Sequence, residues 1–348
     1  MLNKFLALLE FFSTTQAGRA RRAACAQRLR FGLSTLGHDF IEFFRSSERG
    51  GKVRKAFFRQ LGLQLFLLTI TLIVLFPIMW IFSMALDPRN IDKPLDLTLI
   101  PPGASLAAFR KVLLDPFPLL CSNPTDLSTC MTFGRLLANS LIVALGTSLF
   151  SVVLGASAAY AFSRFNFIGR QAGMIGFIVL LMLPSTATLA PLYVLLSQIR
   201  IGGEALRQTL PGLMIAYASG TLPFAIWNLK GYFDTVPKEL EEAAIIDGAS
   251  VTQTFLRIIL PLSVPALAVT VLFSFMSGWT EFVLAWTFLD DPSRFTLAMA
   301  LRSMQGQFAT PWSEFSAMSI LMSIPIILLF FAMQRYIVSG LTVGGVKG

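Results

Sequence analysis

The chain has 348 residues, 55% of them hydrophobic and only 14% charged, with a formal net charge of +9. A soluble domain of that size has too few charged side chains to cover so much apolar surface, so a bilayer is the solvent that suits this composition. The one histidine, His38, excludes histidine-based metal clusters and catalytic triads, and no metal site is expected.

The positive charge is concentrated at the start, where residues 1–60 hold twelve Lys and Arg against four acids. Arg45, Arg49, Lys52, Arg54, Lys55 and Arg59 crowd one side of the first apolar run, and only Arg89 and Lys93 follow on the other. Such a bias places the N-terminus in the cytoplasm, and anionic lipid rather than nucleic acid is the expected partner of the basic arm. Residues 1–60 are therefore read as a cytoplasmic arm, in which Phe31, Phe40, Ile41, Phe43 and Phe44 outline an amphipathic helix lying on the membrane. The apolar stretch 2–12 has Lys4 as its only preceding charge and lacks the small-x-small exit of a cleaved signal peptide, so none is expected.

From residue 61 to 348 the pattern is that of a transmembrane domain. Crossing the hydrocarbon core takes roughly 20 mostly apolar residues. Six runs meet this, at about 63–86, 138–162, 173–196, 210–229, 264–288 and 317–336. Because lipid offers no partner for backbone polar groups, each run is expected to be a helix and the fold all-α. With the N-terminus inside, residues 87–137, 197–209 and 289–316 face outward, residues 163–172 and 230–263 inward, and the C-terminus is cytoplasmic. Pro77, Pro184, Pro191, Pro223 and Pro325 fall within the runs, each removing one helix hydrogen bond. Cys121 and Cys130 share the first outer loop, where an oxidising compartment favours a disulfide, and Cys25 in the arm is expected to stay reduced.

The cytoplasmic loop 230–263 contains the most informative stretch, VPKELEEAAIIDGASVTQTFLRIILPLSVP. Pro237 suits a helix start and Glu239, Glu241 and Glu242 suit its first turn. Gly248 stops that helix, Ser250 and Gln253 form a capping box for a second, and Pro261 and Pro265 end it. The pair lacks a nucleophile with a base, so docking explains it better than chemistry. Leu240, Ala243, Ala244, Phe255 and Ile258 are expected to fill a groove on a partner, with the acids at its rim.

Glu242, Ala243, Ala244, Gly248, Ile258, Leu260 and Pro261 match in spacing the EAA signature of permease subunits of bacterial ABC importers, and Asp247 matches its DGA extension. The resemblance covers roughly residues 60–348. It implies a MetI-like membrane fold in the bacterial inner membrane and a loop that inserts into a cytoplasmic ATPase. The closing QRYIVSGLTVGGVKG is similar to the tail of the maltose-type carbohydrate branch, which implies ATPase contacts by Gly340, Gly344, Gly345 and Lys347. The tail itself reads as flexible. The resemblance further implies a second homologous permease, two ATPase subunits, an extracytoplasmic sugar-binding protein and a maltose-, trehalose- or maltodextrin-like cargo.

No cofactor is expected on this chain. It has no G-x-x-x-x-G-K-[ST] phosphate loop, so ATP and Mg belong to the ATPase, and the chain is read as a transport subunit rather than an enzyme. Glu281, the sole clear acid within a run, and Trp279 are candidates for the substrate path, against structural roles as a helix-bonding acid and an interfacial aromatic. Asn139 and Asn228 are read as helix-packing residues. A secondary transporter would need more intramembrane acids, and an intramembrane enzyme a paired nucleophile and base.

Overall fold

The computed structural model describes residues 48–89, 99–123, 125–306 and 310–345. The arm to residue 47, with Cys25, His38 and the expected surface helix, lies outside the described residues, as does Lys347. The chain divides into two units, residues 1–78 and 79–348. Helix α1 (Glu48–Leu86) occupies the described part of the first unit and continues into the second, passing through Pro77. Its segment Phe57–Leu86 is long and apolar enough to cross a membrane.

The second unit follows with α2 (Ala107–Leu114), the strands β1 (Phe117–Cys121) and β2 (Cys130–Met131), and α3 (Phe133–Arg164). Next come α4 (Arg170–Met182), α5 (Leu189–Gln198), the strands β3 (Arg200–Ile201) and β4 (Glu204–Ala205), and α6 (Leu210–Phe233). Among the described residues, two short antiparallel ribbons, β1–β2 and β3–β4, thus accompany a helical fold. Cys121 and Cys130 pair across the first ribbon and are joined as a disulfide.

The remainder comprises α7 (Glu239–Ile246), α8 (Val251–Thr254), a π-helical turn at Phe255–Ile259, α9 (Leu260–Leu262), α10 (Val264–Thr280), α11 (Val283–Phe288), α12 (Leu297–Ser303) and α13 (Trp312–Gly345). The run 317–336 thus belongs to a longer helix that includes Gly340, Gly344 and Gly345, where a flexible tail was expected.

Two of the six expected runs are not single helices. The run 173–196 breaks into α4 and α5, bent by 103°. Leu183 is extended there at φ −75° and ψ 137°, because the ring of Pro184 disfavours helical geometry in the residue before it. The run 264–288 breaks after Thr280, where Glu281 turns extended and α11 begins anew. A further bend of 80° separates residues 251–262 from α10. Among the described residues, four helices are long and apolar enough to span a membrane, or up to six spans exist if each bent pair is one.

The most extensive packing joins α3 to α6, with α10 against α3 next. Small residues permit it. A side chain at Gly155 would collide with Ala225, and one at Gly278 would press on Ala144 and Thr147. Asn228 donates to Ala266 O and Thr270 Oγ1 at 3.2 and 3.1 Å, tying α6 to α10. Asn139 instead donates to the carbonyls of Ser293 and Phe295, outside any helix pair.

Candidate functional site

The loop between α6 and α10 folds as a hairpin of two short helices. Helix α7 starts at Glu239, with Glu239, Glu241 and Glu242 in its first turn, where acids oppose the helix dipole favourably. It ends in a Schellman arrangement: the Ala249 amide donates to Ala244 O and the Gly248 amide to Ile245 O. That turn needs a left-handed residue, and Gly248 has φ +88°. Ser250 then caps α8, accepting from the Gln253 amide at 3.3 Å while the Ser250 amide donates to Gln253 Oε1 at 2.8 Å.

Pro261 does not end the second helix. It lies inside α9, and the helix runs to Leu262 before bending at Ser263. Proline has no N–H to return to the carbonyl four residues back, and the ladder widens into a π-helical turn at Phe255–Ile259 just ahead of it.

The three acids of α7 do not share one surface. Glu241 is buried, paired with Arg164 Nε at the end of α3 and accepting from Tyr160 Oη at 2.9 Å. Arg164 also donates to Val236 O at 3.0 Å, so one guanidinium clamps α3 to both the approach and the first turn of α7. Beside it, Asp234 accepts from Ser163 Oγ at 2.6 Å and pairs with Lys230 at 2.5 Å. Burial pushes the Asp234 carboxyl upward, but the bonds from Lys230 and Ser163, with the nearby positive charges, hold it below its ordinary value.

Glu242 and Ala243 are exposed, as is Asp247. Of the apolar residues expected to meet a partner, Leu240 stays exposed, Ile258 is half-buried, and Ala244 is buried. Phe255 turns inward, its ring 4.8 Å from that of Tyr160. Ile245 and Ile246 present the larger apolar surface, Ile246 being 85% exposed, together with Val251 and Leu256. Gly248 and Asp247 therefore sit at the tip of a face formed by Glu242, Ala243, Ile245 and Ile246. Leu260 is half-buried in the underlying cluster around Phe233 and Ile259, and Pro261 is exposed.

Trp279 and Glu281, the candidates for the substrate path, both have bonding partners within this chain. Trp279 is buried, stacked on Phe275 at 5.5 Å, and its indole donates to Met322 O at 3.0 Å. Glu281 caps α11 by accepting from the amides of Val283 and Leu284 at 2.8 and 3.1 Å. These bonds satisfy the free amides of a helix break and give a buried indole its acceptor. The Glu241–Arg164–Tyr160 clamp was missed in the sequence reading. No local signal marks it, since successive positions about 100° apart can both face outward, as Ile245 and Ile246 do, and only the packing against α3 turns Glu241 inward.

Residues 151–343 match the family described as binding-protein-dependent transport system inner membrane component. The maltose/maltodextrin transport system permease protein MalG of Yersinia pestis is 33% identical over 306 residues, covering 83% of this chain and 94% of that protein. The trehalose transport system permease protein SugB of Mycobacterium tuberculosis (strain CDC 1551 / Oshkosh) is 34% identical over 276 residues, 79% of this chain and 93% of that one. A chain of the bacterial ABC transporter that imports the acidic polysaccharide alginate shares the fold, with TM-score 0.63, 21% identity and coverage of 84% and 99%.

Proposed function

Because the chain belongs to the family of binding-protein-dependent transport system inner membrane components, we propose that it forms half the membrane path of an ATP-driven sugar importer. The chain is a multi-pass transport permease subunit. In this reading a second homologous permease supplies the other half, two ATPase subunits hydrolyse ATP, and an extracytoplasmic binding protein delivers a maltose-, trehalose- or maltodextrin-like sugar. Residues 230–263 and both termini then face the cytoplasm, an orientation supported by the basic arm. The end of α13, with Gly340, Gly344 and Gly345, and Lys347 beyond it, is assigned to the ATPase side. Glu281 spends its carboxylate on a helix cap, which weighs against a secondary transporter.

The observation that carries the reading is the hairpin. Its outward face offers Glu242 for a basic partner group and Ile245 and Ile246 for an apolar cleft, and its inward face is bolted to α3 through Glu241. A push on the outward face therefore reaches a membrane helix directly. Glu242→Ala removes the rim charge. Gly248→Leu forces a left-handed turn on a bulky side chain, costing roughly 1 kcal/mol or more and swinging α8 out of line. Both variants are expected to insert normally into membranes yet lose labelled-sugar uptake and weaken retention of the ATPase in a pull-down. Full uptake in both variants would show that the hairpin is not the coupling element.

A further inference from the structure

Trp279 and Glu281 are turned into structural bonds, but Thr280 and Phe282, which alternate with them across the break, line open space. Between α10, α12 and α13 lies a groove of about 650 Å³ bordered by Thr280, Phe282, Arg302, Gln305, Ser319 and Ser323. That volume is in the range of small-ligand sites, roughly 300–1,000 Å³. The groove sits at the end of α10 opposite the hairpin, about 25 Å away along a helix rising 1.5 Å per residue.

Its polar groups are sorted by hydrogen-bonding sense. Thr280 Oγ1 donates to Met276 O, Ser319 Oγ to Phe315 O and Ser323 Oγ to Ser319 O, each at 2.8 Å. With their protons committed to their own helices, these three hydroxyls present lone pairs as acceptors. Arg302 Nη1 donates to Gln305 Oε1 at 2.7 Å, which orients the amide and leaves its NH₂ and the rest of the guanidinium as donors. A neutral sugar fits this set, because each of its hydroxyls both donates and accepts and the C–H face of its ring can lie on Phe282.

Resting on the sugar-importer reading, we propose that this groove holds one hexose unit of the cargo, whose hydroxyls donate to Thr280, Ser319 and Ser323 and accept from Arg302 and Gln305. The chain then takes part in sugar selection and does not merely wall the path.

The test uses the assembled complex with its binding protein, and maltose and trehalose as probes. Arg302→Gln and Thr280→Val are expected to raise the KM for uptake of one of them roughly tenfold, the effect of losing one hydrogen bond, while the ATPase still co-purifies. Ser323→Cys is expected to react with a membrane-impermeant maleimide and to be protected by the transported sugar. Unchanged KM in both variants overturns the proposal. So does a Cys at 323 that stays unlabelled in the complex, which would mean a neighbouring subunit covers the groove, or one that labels equally with and without sugar. A wild-type complex that imports neither of these sugars nor a maltodextrin overturns the sugar reading itself and the groove assignment with it, whereas normal wild-type uptake with indifferent variants overturns the groove alone.

Discussion

Successive residues on an α-helix project about 100° apart, and in α7 this separates Glu241 from Glu242 into two environments. Glu241 has left water for a site closed by Arg164 and Tyr160, where an ion pair is tolerated because each charge is also hydrogen-bonded. Removing one partner strands the other. Glu241→Gln or Arg164→Met is expected to destabilise the hairpin by about 3 kcal/mol and lower its retention of the ATPase. The exchanged pair, Arg164→Glu with Glu241→Arg, is expected to recover part of that retention in a pull-down. No recovery, together with normal retention in the single variants, would show the clamp to be incidental.

The neighbouring Asp234 gives the same region a pH dependence whose sign follows from its depressed carboxyl. A group with a folded pKa below its unfolded value of about 3.9 stabilises the protein above that value and loses the contribution as pH falls through the folded pKa. Stability is therefore expected to be level near neutrality and to decline below about pH 4. Asp234→Asn is expected to flatten that acid limb in thermal melts of the purified protein. An acid limb identical in the two proteins would assign the decline to other carboxylates.

At the scale of elements, the short ribbon β1–β2 relies on its cross-link. Two residues of β2 against an irregular β1 make a weak ladder, and the register shifts between Phe117 and Cys121. The Cys121–Cys130 disulfide closes a small loop there, with a contribution on the order of 2 to 3 kcal/mol. Cys121→Ser is expected to lower the melting temperature and to expose the ribbon to protease, while mass spectrometry of unreduced wild-type protein finds neither cysteine alkylated. Alkylation of both would sink the assignment. The long helices need no such support, because α3, α6 and α10 interlock through Gly155, Gly278 and the Asn228 bonds.

Across the whole molecule, the sequence by itself determined the solvent, the helical class and the hairpin. Predominantly apolar runs of bilayer length admit one backbone solution, and Gly248, Ser250 and Gln253 act through local bonds that need no distant partner. The apolar runs could not reveal their own breaks. A stretch that stays hydrophobic through residues 173–196 or 264–288 reads as one helix; Pro184 is a local cause of the bend at Leu183, whereas the restart after Glu281 has no such mark in the sequence and was decided by packing. Burial was likewise invisible. Glu241 and Glu242 are the same residue type one position apart, and Trp279 and Thr280 are neighbours, yet in each pair one side chain is enclosed and the other open. That choice depends on which face of a helix meets α3 or α13, a long-range fact set by the tertiary structure.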